Sequence, residues 1–418
     1  MNENEKTVEK VILVGTDTYE ALDELRELAD TAGAETVATL VQHIERPSVS
    51  TYLGSGKLEE LAAYIESTEA TGIICDDELT PAQMSNLERI LDTKIMDRTM
   101  LILDIFAQHA ITSEGKIQVE LAQLQYRLTR LTGKGRAMSR LGGGIGTRGP
   151  GEKKLEQDRR VIRTRVSQLK RELADIVSHR ELTRKKREGN SVPVFAIVGY
   201  TNVGKSTLLN RLTGSEVLAE NKLFATLDTT TRSLELEGKQ QALLTDTVGF
   251  IRKLPHNLVD AFRSTLEEAR YADYIIHVVD ASSESAEDDM RVVYETLDML
   301  KIEGKKVLTV FNKIDKITPE TGIDVRGLKD TRAYMTVKMS AKTGERTEDF
   351  LEAVTAMIRE DRRRLEKVFS YSEMSAVSEI RDKGLIIKED YRDDGIYIEA
   401  DVPARLYGKY NKILPVNY

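Results

Sequence analysis

A single cysteine, Cys75, is all the thiol that 418 residues hold. That rules out an intramolecular disulfide and any zinc cage built from cysteine thiolates. Histidine is nearly as scarce, with five residues scattered at no metal-ligand spacing. No apolar run approaches the roughly 20 residues that would span a bilayer, so an integral membrane protein is not expected. The opening stretch MNENEKTVEK is too polar and charged for a signal peptide. The expectation is a cytoplasmic protein, with peripheral attachment to a membrane surface left open. No segment repeats. What remains is an ordinary globular composition, 40% hydrophobic and 31% charged, in a chain long enough for roughly two to four domains.

The charge is unevenly placed. Between Lys116 and Glu188 stand 20 Lys plus Arg against 8 Asp plus Glu, a local excess of 12. The rest of the chain therefore carries −20, against −8 overall. A basic segment inside an acidic protein is the electrostatic footprint of a polyanionic partner.

The sharpest motif is GYTNVGKST, Gly199–Thr207, which contains G-x-x-x-x-G-K-[ST] between an apolar run, Val192–Val198, and an amphipathic one, Thr207–Leu212. In that strand–loop–helix setting, Gly199, Tyr200, Thr201, Asn202, Val203 and Gly204 are expected to turn backbone N–H groups around a phosphate at a helix N-terminus. Lys205 supplies charge to the β and γ phosphates, and the Ser206 hydroxyl can complete an Mg²⁺ shell. Asp246-Thr247-Val248-Gly249 is a D-x-x-G element at a strand end. Asp246 can hold Mg²⁺ through water, and the Gly249 N–H can meet the γ-phosphate. Asn312-Lys313-Ile314-Asp315 ends another apolar strand. A carboxylate at Asp315 can accept both N1–H and N2–H of guanine, which adenine does not offer. Ser340-Ala341-Lys342 follows a further strand, and the Ala341 N–H is expected at guanine O6. These elements in this order select GTP and GDP over adenine nucleotides.

The rest of the chain frames that site. Residues 8 to 110 alternate strands (Val11–Val14, Thr36–Val41, Gly72–Cys75, Lys94–Met96) with helices (Tyr19–Ala32, Leu58–Ser67, Pro81–Leu91, Met100–Ala110), which implies right-handed βαβ units and a parallel sheet. Tyr52–Lys57, YLGSGK, could bind phosphate but lacks the second spaced glycine and the Ser/Thr after lysine, so a plain loop is favoured; Asp76-Asp77-Glu78 could chelate a metal, and a solvated loop end is the favoured reading. Ile117, Leu121, Leu124, Leu128 and Leu131 form a heptad seam that Leu155, Ile162, Val166, Leu169, Leu173 and Ile176 continue. Between them Gly142–Gly151 holds six glycines in ten residues, a composition that interrupts the helix. The economical reading is an antiparallel helical hairpin with a glycine-rich connection, in which Arg136, Arg140, Arg148, Lys153 and Lys154 contact RNA phosphates. After Arg359 a charged helix end leads to a small tail of strands (Val368–Tyr371, Leu385–Tyr391, Gly395–Val402), a short helix (Ser375–Arg381) and a hairpin turn at Asp393-Asp394-Gly395.

Residues 8 to 360 resemble the HflX family, of the Obg–HflX branch of translation-associated GTPases. The segments Tyr52–Leu61, Asp97–Ala110, Glu114–Leu128 and Gly142–Glu152 carry that resemblance beyond the GTP motifs. It implies GTP hydrolysis with Mg²⁺, binding to the ribosome, chiefly the large subunit and its RNA, and splitting, rescue or recycling of ribosomes. It also implies a switch segment Phe224, Ala225, Thr226, Leu227 and Asp228, with Thr226 joining Ser206 on Mg²⁺. Asn202 is similar to the phosphate-loop asparagine that helps hold K⁺ in some related GTPases. One departure is GEKKLE, Gly151–Glu156, where the family favours the more polar G-E-T-Q-L-E. No catalytic side chain stands out, because Phe250 occupies the place of the water-orienting glutamine.

The expected fold class is α/β. An N-terminal parallel α/β domain (1–115) precedes the basic hairpin (116–190), a doubly wound phosphate-loop GTP-binding domain (191–362) and a small α+β module (363–418). A monomer that does not bind DNA is expected. The competing readings are a signalling GTPase with a protein or membrane-surface partner, and an RNA-binding ribosome assembly factor.

Overall fold

The computed structural model describes residues 8–139, 150–187, 192–214, 223–224, 230–236, 240–253, 268–318 and 324–411. The chain sorts into two compact units, one of Met1–Ile176 with Glu220–Asp228 and Ile251–Ser264, the other of the remainder.

In the first unit β1 (Lys10–Gly15), β2 (Glu35–Val41), β3 (Gly72–Cys75) and β4 (Lys94–Asp97) form a parallel sheet in the order β2-β1-β3-β4. The runs VILV and GIIC have no polar alternation because both faces are covered. Helices α1 (Asp23–Ala32), α2 (Ser55–Thr68), α3 (Pro81–Leu91) and α4 (Arg98–His109) alternate with them. Leu61, Leu87, Ile12 and Ile73 meet in one core. Thr80 caps α3 through a reciprocal box with Gln83, and Pro81 takes the first helical position, where no N–H is needed. YLGSGK is a loop only as far as Gly54, since α2 begins at Ser55.

Buried charge organises the carboxyl ends of these strands. Asp97, fully buried, caps α4 by accepting from the Met100 N–H (3.0 Å). Its other oxygen accepts from the Leu79 N–H (3.1 Å), the Tyr126 hydroxyl (2.6 Å) and Arg130 (2.5 Å). Arg98 is 2% exposed and bridges Asp76 (2.7 Å) and Glu24. Asp76 is therefore not the solvated loop end its sequence suggests. It is 3% exposed, and Lys253 closes over it and Asp77.

Two long helices follow, α5 (Ser113–Ser139) and α6 (Pro150–Arg187). They run antiparallel, because Arg159 donates to the Leu131 carbonyl (2.7 Å) while Arg165 grips Glu120 with two bonds (2.7 and 2.9 Å). The expected heptad residues are half-buried, apart from Leu121 and Leu169, which are buried. α5 also buries Gln118, Val119, Ala122 and Tyr126, a second face packed on α3 and α4. Helix resumes at Pro150, inside the glycine-rich stretch, because proline suits the first helical position.

The second unit holds a six-stranded sheet, order β10-β9-β8-β5-β7-β6, parallel except where β6 (Thr230–Leu236) pairs with β7 (Gln240–Asp246). Its other strands are β5 (Val194–Gly199), β8 (Tyr274–Asp280), β9 (Val307–Asn312) and β10 (Met335–Lys338). Helices α7 (Lys205–Thr213) and α8 (Ala286–Met299) lie between strands of this sheet, and α9 (Thr347–Glu360) follows β10. Strand order reverses at β5, whose neighbours are β7 and β8. An open α/β sheet binds ligand at the carboxyl side of such a switch point.

A three-stranded antiparallel sheet, β11-β13-β12, completes this unit with β11 (Arg362–Phe369), β12 (Leu385–Arg392) and β13 (Gly395–Pro403). Helices α10 (Met374–Lys383) and α11 (Ala404–Tyr410) share its core with Leu365, Phe369 and Ile398. REDRRR is thus divided. The helix stops at Glu360 and a strand begins at Arg362, whose alternation carries Leu365 and Phe369 inward. The hairpin turn expected at Asp393-Asp394-Gly395 has two residues, Asp393-Asp394, which join β12 to Gly395 at φ +143°.

Arg98→Met should lower the unfolding free energy by about 3 kcal/mol, because Asp76 and Glu24 then face each other without their shared cation. Adding Asp76→Asn and Glu24→Gln should recover most of the loss. Urea unfolding of the full chain reads both, and an unchanged midpoint in the single variant would contradict the buried bridge.

Candidate functional site

The carboxyl end of β5 delivers Gly199 directly into the loop that precedes α7. That loop is zipped to the D-x-x-G segment by backbone. The Thr201 N–H donates to the Phe250 carbonyl (2.8 Å), and the Phe250 N–H to the Gly199 carbonyl (3.1 Å). Asn202 (φ +60°) and Gly204 (φ +96°) bend the chain through the left-handed region. Two glycines are required by close approach. A Cβ on Gly204 would lie 2.5 Å from Asn312 Nδ2, and one on Gly249 would lie 2.8 Å from Thr201 Cγ2 and 2.9 Å from Lys205 Nζ.

Lys205 is only 7% exposed. Its ammonium donates to the carbonyls of Gly199 (3.2 Å) and Tyr200 (2.7 Å). Burial pulls its pKa down to about 8, against the raising effect of Asp246, and Lys313 lowers it further. A buried cation held by carbonyl dipoles is suited to a polyphosphate anion. The Ser206 hydroxyl donates to Asp246 Oδ2 (2.8 Å), so two of the three residues expected around Mg²⁺ are adjacent. Thr247 is fixed by its own bond to the Ile197 carbonyl (2.7 Å). Among the described residues no group of three or more His, Cys, Asp or Glu could hold a metal. A metal here would therefore lean on Ser206, Asp246 and the phosphates themselves.

The base-side residues converge on the same loop. Asn312 is 2% exposed; its amide donates to the Val203 carbonyl (2.8 Å) and accepts from the Ala341 N–H (2.8 Å). The N–H expected at guanine O6 is thus engaged by Asn312. Lys313 (φ +64°) reaches the Asn202 carbonyl (2.7 Å) and Asp280 (2.7 Å). Ile314 and Asp315 open a single helical turn. The Asp315 carboxylate is exposed. Ser340 is buried and accepts from the Thr343 N–H (3.1 Å).

Other expected residues fall elsewhere. Phe224 belongs to the first unit, where its buried ring meets Phe106 edge-on at 4.7 Å. Ala225, Thr226, Leu227 and Asp228 lie outside the described residues, as do Arg140 and Arg148. The backbones of Arg136 in α5 and of Lys153 and Lys154 in α6 are helical. Asp280 and Arg211 contact the base-side loops without belonging to any motif. The apolar run before Asp280 marks only a strand, so nothing in sequence flagged either one.

A phosphate loop at the switch point of a doubly wound sheet, with D-x-x-G, N-K-x-D and S-A-K beside it, defines a GTP-binding phosphate-loop GTPase. The family described as "GTP-binding GTPase N-terminal" matches residues 19–107, "GTP-binding GTPase Middle Region" residues 109–187, and "50S ribosome-binding GTPase" residues 194–313. The GTPase HflX of Lacrimispora saccharolytica is 56% identical over 405 residues, 96% of this chain and 95% of that one. That of Escherichia coli is 42% identical over 339 residues, covering 80% and 78%. A solved GTP-binding protein from the archaeon Sulfolobus solfataricus, in complex with GDP, is 24% identical, with 84% and 98% of the chains covered and a TM-score of 0.45. The chain belongs to the HflX family of GTPases. Among the described residues no helix is long and apolar enough to cross a membrane.

The Lys205 environment predicts how pH governs binding. Phosphate favours the charged ammonium, so above pH 8 binding must take up a proton that the free protein has released. GDP affinity should be flat below about pH 8 and then fall by up to tenfold per pH unit. Calorimetric titration between pH 6.5 and 9.5 tests this, and proton uptake appearing only in the alkaline arm is the signature.

Proposed function

We propose that this GTPase binds the ribosome, chiefly the large subunit and its RNA, and couples GTP binding and hydrolysis to splitting, rescue or recycling of ribosomes in the cytoplasm. The observation that carries the reading is the excess of 12 positive charges between Lys116 and Glu188 in a chain that is otherwise acidic. In this reading residues 116–190 are the RNA-contacting arm and 191–362 the hydrolytic domain, flanked by 1–115 and 363–418. Arg136, Arg140, Arg148, Lys153 and Lys154 meet phosphates, which position the arm without reading sequence.

At the nucleotide, backbone N–H groups from Gly199 to Lys205 cradle the phosphates, and Lys205 neutralises charge between them. Asp315 reads the guanine edge, with Asn312 and Lys313 holding its loop. Ser206, Thr226 and, through water, Asp246 would hold Mg²⁺, which would supply charge stabilisation when bound. The fit is supported by the contact of Ser206 with Asp246 and by glycines that leave room for nothing larger.

Hydrolysis by the isolated protein should be slow. Phe250 is 2% exposed and sits in the core with Ala196, Val198 and Ile275, so it cannot orient water. A ribosomal surface supplies the missing order, and a K⁺ ion near Asn202 would offset charge developing between the β and γ phosphates. Turnover should rise at least tenfold with large subunits. Under those conditions K⁺ should exceed Na⁺ at matched ionic strength, and Asn202→Ser should erase the difference. Equal rates in both salts would dispose of the cation; fast turnover without subunits would dispose of ribosomal activation.

Alanine at Arg140, Arg148, Lys153 and Lys154 together should lower ribosome affinity and flatten its logarithmic salt slope by about 0.7–0.9 per lost contact. GTP affinity should not change. An unaltered salt slope would favour a signalling GTPase with a protein or membrane-surface partner.

A further inference from the structure

We propose that Arg211, which belongs to no nucleotide motif, is a positioning residue for guanine selection, tying the Ser340–Lys342 loop to the phosphate-binding helix. The proposal rests on reading Asn312–Asp315 and Ser340–Lys342 as the wall that faces the base.

Arg211 lies in the last turn of α7, six residues after Lys205 and about 9 Å along the helix. Its Nε donates to the Ala341 carbonyl (3.1 Å), and a terminal nitrogen donates to the carbonyl of Lys342. One guanidinium fork thus grasps two consecutive peptides, a geometry that lysine cannot reproduce. Gly344 (φ +87°) turns the loop back against the guanidinium, where a Cβ would stand 3.5 Å from Arg211 Cζ.

The consequence follows from peptide planarity. Holding the Ala341 carbonyl toward Arg211 turns the N–H of the same peptide, that of Lys342, to the opposite side. The other N–H groups of the loop are committed. Ser340 donates to the Glu345 carbonyl (3.1 Å), Ala341 to Asn312, Thr343 to the Ser340 hydroxyl and Gly344 to the Ser340 carbonyl (2.8 Å). Among the described residues the Lys342 N–H has no hydrogen-bond partner. It is the donor this loop has left for a purine. Guanine presents a carbonyl oxygen at that position of the ring, whereas adenine presents an amino group that would oppose donor to donor. Arg211 therefore fixes the direction of a donor that separates the two bases, while touching neither.

The experiment compares binding of GDP, ADP and pyrophosphate to full-length wild type, Arg211→Gln, Arg211→Lys and Asp315→Asn by calorimetry. Pyrophosphate engages the phosphate loop alone. Arg211→Gln should weaken GDP on the order of tenfold, as for one mispositioned hydrogen bond, and lower the GDP-to-ADP preference equally. Pyrophosphate binding should be unchanged, and Arg211→Lys should fall between. If GDP and pyrophosphate weaken together, or GDP affinity is unmoved, the proposal is overturned. Should Arg211→Gln fail to fold, the same comparison in Arg211→Lys decides. Asp315→Asn separates the two levels of the argument. If it keeps the wild-type preference for GDP, the base wall itself is misassigned; if it loses that preference while the Arg211 variants keep it, only the role of Arg211 fails.

Discussion

A lysine ammonium buried at the carboxyl end of a parallel sheet is the constraint on which the nucleotide site depends. Lys205 is held by two carbonyls, and among the described residues no carboxylate lies within ion-pair distance of it. Taking a cation out of water without a counterion is costly. A bound polyphosphate removes that cost, which makes the anion part of the site's electrostatic design. The glycines follow from the same crowding. Gly249 must come within a side chain's width of Lys205 and Thr201, and Gly204 within that of Asn312. A side chain at Gly249 would displace Thr201 and Lys205, and one at Gly204 the Asn312 amide.

The first unit treats buried charge in the opposite way. Arg98 faces Asp76 and Glu24, and Asp97 collects four donors. Each of these charges faces an opposite charge of the same unit, so they fix geometry at the ends of β3 and β4 and hold α5 against them. Burial and the neighbouring Asp97 push the Tyr126 hydroxyl well above its ordinary range, which keeps it a donor. Matched charge marks architecture here, and unmatched charge marks the ligand site.

Support for the site comes from residues that sequence motifs do not include. Asp280 holds Lys313, while its other oxygen binds the N–H and hydroxyl of Ser282 (3.0 and 2.6 Å). Phe250 turns inward and lends its backbone to the phosphate loop. The position is structural.

Local chemistry wrote most of the fold into the chain. Continuous apolar runs such as VILV and GIIC could only be strands covered on both faces, and Thr80-Pro81 could only begin a helix. The phosphate loop was legible because its glycines, lysine and serine act through backbone geometry within nine residues. The D-x-x-G and N-K-x-D elements were legible because each sits at a strand end. Tertiary structure decided what depends on distant partners. Asp76 looked solvated until Arg98 and Lys253 were brought to it, and REDRRR looked helical until pairing with β13 drew Arg362 onward into a strand. The Ala341 N–H looked ready for guanine until Asn312, 29 positions earlier, claimed it. Arg211 and Asp280 left no local mark at all. A side chain whose role is to hold a loop 130 residues away has no period or spacing to betray it, because its partner is chosen only when the sheet closes.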